Sequence, residues 1–294
     1  MLPECRLNPQ SSVVGYSTVQ YKAGKWLIAA TPFEETSGGN IDLQNLVTGF
    51  GTKDVAFVNA ATARTTAPYI QIQERDGSGN VTGFTIDYFY VNNAIYNSGF
   101  TPGVGPTYDR RPGWCDESGN LVGGLKAAAV KVAPGTAFWF KDPASDADIQ
   151  LAGQVVNDGS KTVSPTAGKW NLVCNPFPVE VALNSESITF TGLSDVAFVN
   201  AAQARTEAPY IQIQERDADG NVTGFTIDYF YVNNAIYNSG FTPGVGPTYD
   251  RRPGWCDESG NLLGGLKAAA VSVKVGTGFW FKDPNNSVTI EFVK

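Results

Sequence analysis

Residues 54–143 recur without a gap at 195–284. Asp54-Val-Ala-Phe-Val-Asn59 returns as Asp195-Val-Ala-Phe-Val-Asn200, an offset of 195 − 54 = 141. The 90 aligned positions differ at nine: 62/203, 66/207, 77/218, 78/219, 122/263, 131/272, 133/274, 134/275 and 137/278. A repeat of this length constrains architecture before any other feature does, because the chain must fold as two copies of one unit. Upstream the match is weaker. Ala23-Gly-Lys-Trp26 aligns with Ala167-Gly-Lys-Trp170 at an offset of 170 − 26 = 144, and Pro32-Phe33 with Pro176-Phe177. Three parts are expected: an N-terminal arm over 1–10, copy 1 over 11–153 and copy 2 over 154–294. The joint has no Pro-rich or Ser-rich spacer, so the copies should sit close together. Two accounts fit the uneven divergence: recent duplication of the central segment, or one surface that both copies present to equivalent neighbours.

Within a copy the pattern is that of strands. Tyr69-Ile-Gln-Ile-Gln-Glu74 alternates, with Ile70 and Ile72 on one face and Gln71 and Gln73 on the other. Thr82–Val91 alternates too, placing Phe84, Ile86, Tyr88 and Tyr90 together, and Asp76-Gly-Ser-Gly-Asn80 between them reads as a hairpin turn. Val13–Tyr21, Trp26–Ala30, Val55–Val58, Gly135–Phe140 and Asp148–Leu151 read as further strands. Ile41–Val47 offers the only helical turn. Asn92–Cys115, rich in Gly, Pro and Asn, reads as a long irregular loop folded back over the sheet. Gly (32) and Pro (17) together exceed the about 35 residues of average usage. The expected class is all-β, two tandem antiparallel β-sandwich domains of Ig-like or jelly-roll-like type.

Composition removes several functions. The chain has no histidine, so a Ser-His-Asp triad, a Cys-His dyad and an imidazole metal ligand are excluded. Its net charge of −7 without a basic run argues against nucleic acid. No apolar run approaches the ~18 residues of a membrane span. No cofactor and no metal site is expected. Asp76–Asn80 and Asp217–Asn221 resemble the start of a calcium loop but lack its closing bidentate Glu, and read as turns. Asn80-Val-Thr82 and Asn221-Val-Thr223 fit a glycosylation sequon. Glu74 and Asp87, on neighbouring strands, are the pair that glycoside hydrolysis would use. Surface acids are the simpler reading, and no enzymatic activity is expected.

Two sets of residues remain. Tyr88, Tyr90, Tyr96, Tyr108 and Trp114, with their repeats Tyr229, Tyr231, Tyr237, Tyr249 and Trp255, have the chemistry of a ligand or subunit surface. Core packing explains the strand aromatics equally well. The cysteines are Cys5, Cys115, Cys174 and Cys256, of which Cys115 and Cys256 are equivalent. If copies stack head to tail, Cys115 meets Cys174 across the joint. Cys256 then meets Cys5 of the next molecule, giving a covalent chain of subunits. A Cys5–Cys174 bridge, or buried free thiols, is the alternative.

Ala167-Gly-Lys-Trp-Asn-Leu-Val-Cys-Asn-Pro-Phe177, followed by Val275-Gly-Thr-Gly-Phe-Trp-Phe-Lys282, resembles an "AGWNLIxNPF … GxGFFxK" frame. Val13-Val-Gly-Tyr-Ser-Thr-Val with Ala23-Gly-Lys-Trp26 is similar to a "VVGYVxVxxxAGxxLIANP" opening. Both belong to β-rich repeats of secreted bacterial surface proteins. Copy 1 departs from the frame, reading Ala30-Thr-Pro where Asn-Pro is usual. The resemblance implies an extracellular or cell-surface location, reached through a signal peptide already removed. The expected role is a structural protein that self-associates through stacked repeats into a filament, tube or layer. The arm over 1–10 would bind the neighbouring molecule. Binding of polysaccharide through the duplicated aromatic surface is the second expectation.

Overall fold

The computed structural model describes residues 14–35, 38–46, 59–121, 124–198, 200–262 and 265–294. Cys5, the arm over 1–10 and the strand expected at Val55–Val58 lie outside the described residues.

Copy 1 contains β1 (Val14–Tyr21), β2 (Leu27–Ala30), β3 (Phe33–Glu34), β4 (Ile41–Asp42), α1 (Leu43–Leu46) and α2 (Ala60–Thr66). Then follow β5 (Tyr69–Arg75), β6 (Val81–Thr101), β7 (Gly105–Leu121), β8 (Gly124–Ala127), β9 (Lys131–Val132), β10 (Ala137–Lys141) and β11 (Ala147–Val155). The last strand runs two residues past the expected boundary at 153. Copy 2 contains β12 (Ser160–Val163), β13 (Asn171–Cys174), β14 (Val181–Ala182), β15 (Ile188–Thr191) and α3 (Ala201–Glu207). It continues with β16 (Tyr210–Arg216), β17 (Val222–Thr242), β18 (Gly246–Leu262), β19 (Gly265–Ala268), β20 (Ser272–Val273), β21 (Gly278–Lys282) and β22 (Thr289–Val293).

The fold is all-β with antiparallel sheets. A six-stranded sheet, β2-β10-β5-β6-β7-β8, faces a three-stranded sheet, β1-β11-β3, and copy 2 repeats the arrangement as β13-β21-β16-β17-β18-β19 and β12-β22-β15. Strand alternation decides which side chains meet between the sheets. Phe138 and Phe140 of β10, Ile70 of β5 and Tyr88 of β6 pack against Val19 of β1 and Leu151 of β11. Phe279, Phe281, Ile211 and Tyr229 do the same against Ile290 and Phe292. Each copy therefore has its own sandwich core.

Two expectations about elements need correction. Helices α2 and α3 were not anticipated. Each is seven residues long and starts at an Asn whose side chain accepts from the backbone N–H three residues on, Asn59 from Thr62 and Asn200 from Gln203, both at 2.9 Å. The cap bonds a backbone group, so it survives the Thr62/Gln203 difference. Pro68 and Pro209 follow the helices and block their extension.

The stretch 92–115 is no irregular loop folded back over the sheet. It is the outer half of a long β6–β7 hairpin, paired from Tyr88↔Asp116 out to Thr101↔Gly105. Thr101-Pro-Gly-Val104 closes it, with Val104 N–H donating to Thr101 C=O at 3.0 Å and Gly103 at φ +82°. Pro at the second and Gly at the third position are what a type II turn requires. Asn92 and Asn93 sit in a bulge between Val91 and Ala94. Ala94 and Ile95 just past it are still buried, but from Asn97 to Thr101 the strand buries neither face, so the alternation that marks a strand in sequence is absent there.

The copies meet through the outer faces of their six-stranded sheets, and the contact is reciprocal. Gln73 of copy 1 accepts from Leu172 N–H at 2.6 Å and donates to Trp170 C=O at 2.9 Å. Gln214, its equivalent in copy 2, accepts from Ile28 N–H at 2.6 Å and donates to Trp26 C=O at 2.7 Å. Thr136 bridges to Val173, and Thr277 to Ala29. These contacts reappear with the copies exchanged, as in an isologous interface about a local dyad. Val81 N–H to Thr166 Oγ1 at 2.8 Å, Lys25 Nζ to Thr223 O at 3.2 Å and Ala30 N–H to Gly276 O at 2.9 Å cross the junction on one side only. Head-to-tail stacking within the chain is thereby overturned. Trp139 and Trp280, equivalent residues, touch each other with ring centroids 5.9 Å apart.

Candidate functional site

The outer face of each six-stranded sheet is covered in two places, by the short helix and by the other copy. Between them lies a groove of about 610 Å³ in copy 1. Its floor follows from register. Trp139 pairs with Gln71, and Gln71 with Asp87, so these three side chains line up across β10, β5 and β6 on one face. Helix α2 supplies Arg64, β7 supplies Asp116 and Glu117, and the bend at the start of β6 supplies Phe84 and Ile86.

The polar groups are held in place. Arg64 Nε and Nη2 donate to Asp87 Oδ2 at 3.1 and 3.0 Å, and Nη2 also donates to Glu117 Oε1 at 2.7 Å. Gln71 Nε2 donates to Asp87 Oδ1 at 2.8 Å. The bond to Asp87 raises the Arg64 pKa above its ordinary value. Phe84 is 73% exposed and Ile86 39%. A solvent-facing ring thus stands beside fixed acids, an amide and a guanidinium.

Copy 2 repeats the groove residue for residue: Arg205, Gln212, Phe225, Ile227, Asp228, Asp257 and Glu258. Gln212 donates to Asp228 at 2.9 Å, and Arg205 pairs with Glu258 at 2.7 Å. The helix walls are informative. The arginine is unchanged, while the helix positions two before it (62/203) and two after it (66/207) differ. The floors of both grooves lead to one tryptophan cluster on the dyad, with Trp26–Trp139 at 5.8 Å, Trp139–Trp280 at 5.9 Å and Trp170–Trp280 at 6.0 Å.

Most of the aromatic surface expected from sequence is interior. Tyr88, Trp114, Tyr229 and Trp255 are buried in the sandwich cores. Tyr90 and Tyr231 lie half-buried, each edge-on to a core tryptophan. The Tyr96 hydroxyl lies 3.0 Å from Gln44 Oε1 and Pro112 O, and Tyr237 makes the matching bonds to Asn184 and Pro253. Tyr108 and Tyr249 alone lie on the projecting hairpins, under Arg110 and Arg251. Alternation groups Phe84 on one face with Ile86, Tyr88 and Tyr90, and gives no sign that Phe84 and its repeat Phe225 stand in solvent while Tyr88 is core. The strand is irregular there: the register shifts between Gln73 and Arg75 and between Gln214 and Arg216, opposite Gly83 and Gly224 at positive φ (+103° and +99°).

The expected disulfides do not form among the described residues. Cys115, Cys174 and Cys256 are free and buried. Cys115 packs with Phe89 and Leu125, whereas Cys174 faces Ala30, its own equivalent, across the junction. Cys256 is fully buried against Phe230 and Leu266. Burial pushes the Cys115 and Cys256 thiols to about 12 and Cys174 up as well.

Glu74 and Asp87 do not form a facing pair. Strand alternation sets them on opposite faces, and Glu74 accepts from the Thr82 hydroxyl at 2.7 Å. Asp76 accepts from its own turn, from Ser78 and Asn80 N–H at 2.9 Å each, which makes the segment a hairpin turn. Among the described residues no helix is long and apolar enough to cross a membrane. No protein-family model matches the chain, and no curated protein or solved structure is significantly similar to it.

Proposed function

We propose that this chain is a carbohydrate-binding protein with the same groove residues in both copies, acting outside the cell or at its surface. The observation that carries this reading is the exposed Phe84 ring beside Gln71, Asp87, Asp116, Glu117 and Arg64, repeated unchanged in copy 2. Sugar C–H faces pack on aromatic rings, and sugar hydroxyls accept from a guanidinium or amide and donate to carboxylates. Three acids to one cation favour neutral or amine-bearing sugars over sulfated or uronic ones. Two grooves on one body gain avidity when both engage one polymer.

A glycan array tests this. Retention on neutral or amino-sugar glycans is expected, with anionic glycans blank. Phe84→Ala or Phe225→Ala alone should weaken retention, and the double variant should lose it. Equal binding by the double variant, or binding confined to sulfated glycans, overturns the reading.

A second reading, self-association into a filament, tube or layer, is supported by the hairpin tips. Phe100 and Val104 are 74% and 75% exposed, and Phe241 and Val245 repeat them. Exposed apolar clusters of this kind mark contact surfaces. Sedimentation separates the readings. A monomer at all concentrations removes the second, and polymers dissolved by Phe100→Ser with Val104→Ser support it.

A further inference from the structure

A second cavity, of about 460 Å³, opens at the junction of the copies and is separate from the grooves. Its floor is apolar, made of Ile72, Tyr88, Val130 and Val132 of copy 1 and Leu172 of copy 2. Thr162 of β12 and Ser164 just after it also line it. Its size falls within the roughly 300–1,000 Å³ of small-molecule sites.

Three observations define what it would accept. First, Tyr88 is 4% exposed, and its hydroxyl has no hydrogen-bond partner among the described residues. The hydroxyl is not among the buried polar atoms that lack a partner, so it is open to the cavity, where a ligand oxygen can accept from it. Second, the charged side chains lining the cavity are Arg75 and Lys131, with no Asp or Glu among the lining residues, in a chain of net charge −7. Lys131 pairs with Glu35 at 3.3 Å, but Arg75 has no carboxylate partner among the described residues and bonds only Gly79 C=O, at 2.8 Å. Third, four of the nine positions that differ between the repeats line this cavity: Lys131, Ala133, Pro134 and Ala137. In copy 2 Lys131 becomes Ser272, and the equivalent turn is packed by Val19, Ser17 and Leu151 around Gly276.

We infer that this cavity binds one small amphiphilic anion, an apolar body carrying a carboxylate. The body lies on Ile72, Val130 and Val132, and the carboxylate accepts from Arg75 and the Tyr88 hydroxyl. Burial raises the Tyr88 pKa, which keeps its phenol a neutral donor. The site belongs to copy 1: in copy 2 the lysine stands two residues on, at Lys274, where it pairs with Glu180 at 2.8 Å, and the turn is filled by Val19, Ser17 and Leu151 around Gly276.

Titration calorimetry of the full chain with octanoate, octanol and octylammonium tests this. Octanoate should bind at one site per chain, octanol more weakly, and octylammonium not at all. Arg75→Gln should weaken octanoate about tenfold, the size expected for a charged hydrogen bond. Tyr88→Phe, which keeps the ring, and the exposed-site variant Lys131→Gln should each weaken it several-fold. Arg216→Gln and Tyr229→Phe in copy 2 should leave it unchanged. Absence of octanoate binding, equal binding of octylammonium, or equal sensitivity to Arg216→Gln overturns the proposal.

Discussion

Ala137 and Gly278 are equivalent residues that touch each other across the dyad. A Cβ at position 278 would lie 2.7 Å from Ala137 Cβ, 2.8 Å from Val173 O and 3.0 Å from Ile28 Cγ2. Two methyl groups do not fit there, so one copy carries Ala and the other Gly. Gly278→Ala should destabilise the protein by about 1–3 kcal/mol through overpacking. Adding Ala137→Gly should recover the part of the loss that comes from the Ala137 methyl, while the contacts with Val173 O and Ile28 Cγ2 remain. Urea midpoints of the three proteins check this. If the double variant is no more stable than Gly278→Ala alone, the two residues do not share the space described here.

At the scale of elements, β2 and β13 are the open edges of their sheets, and unpaired edge groups invite other chains. Each is covered by a glutamine of the other copy. Gln73→Leu should leave Leu172 N–H and Trp170 C=O without their partner and cost about 1–3 kcal/mol. Hydrogen exchange should speed up at Leu172 in this variant and at Ile28 in Gln214→Leu. Faster exchange at Ile28 in the Gln73 variant would contradict the crossed pattern. The outward direction of Gln71 and Gln73 was legible from alternation, as were the hairpin turn at Asp76 and the two-copy plan. What each glutamine meets was not, because residues 73 and 172 are brought together only by the packing of the copies. The exposure of Phe84 was not legible because alternation groups it with Tyr88, nor was the outer end of the β6–β7 hairpin, because a strand buried on neither face has no period to read. Of the candidate site, Asp87 was picked out from sequence, though as half of a pair that strand alternation forbids.

For the whole molecule, a reciprocal interface has a consequence that a head-to-tail one lacks: it closes on itself and leaves no copy of the contact to extend. Any polymer must therefore use other surfaces, such as the hairpin tips. The same geometry predicts how one copy behaves alone. Residues 154–294 keep their own core, built from Phe279, Phe281, Ile290 and Phe292. They would expose Leu172, Cys174 and Trp280, now covered by copy 1. Two such fragments can rebuild the junction as a true dimer, each Gln214 bonding the other's Leu172 and Trp170. Gly278 meets Gly278 on the axis, so nothing clashes. A fragment over 14–155 places Ala137 against Ala137 and should dimerise more weakly, with Ala137→Gly strengthening it. Sedimentation equilibrium of the two fragments measures the difference. Tighter dimers from the copy 1 fragment, or no response to Ala137→Gly, would mean that the dyad is not what orders the junction.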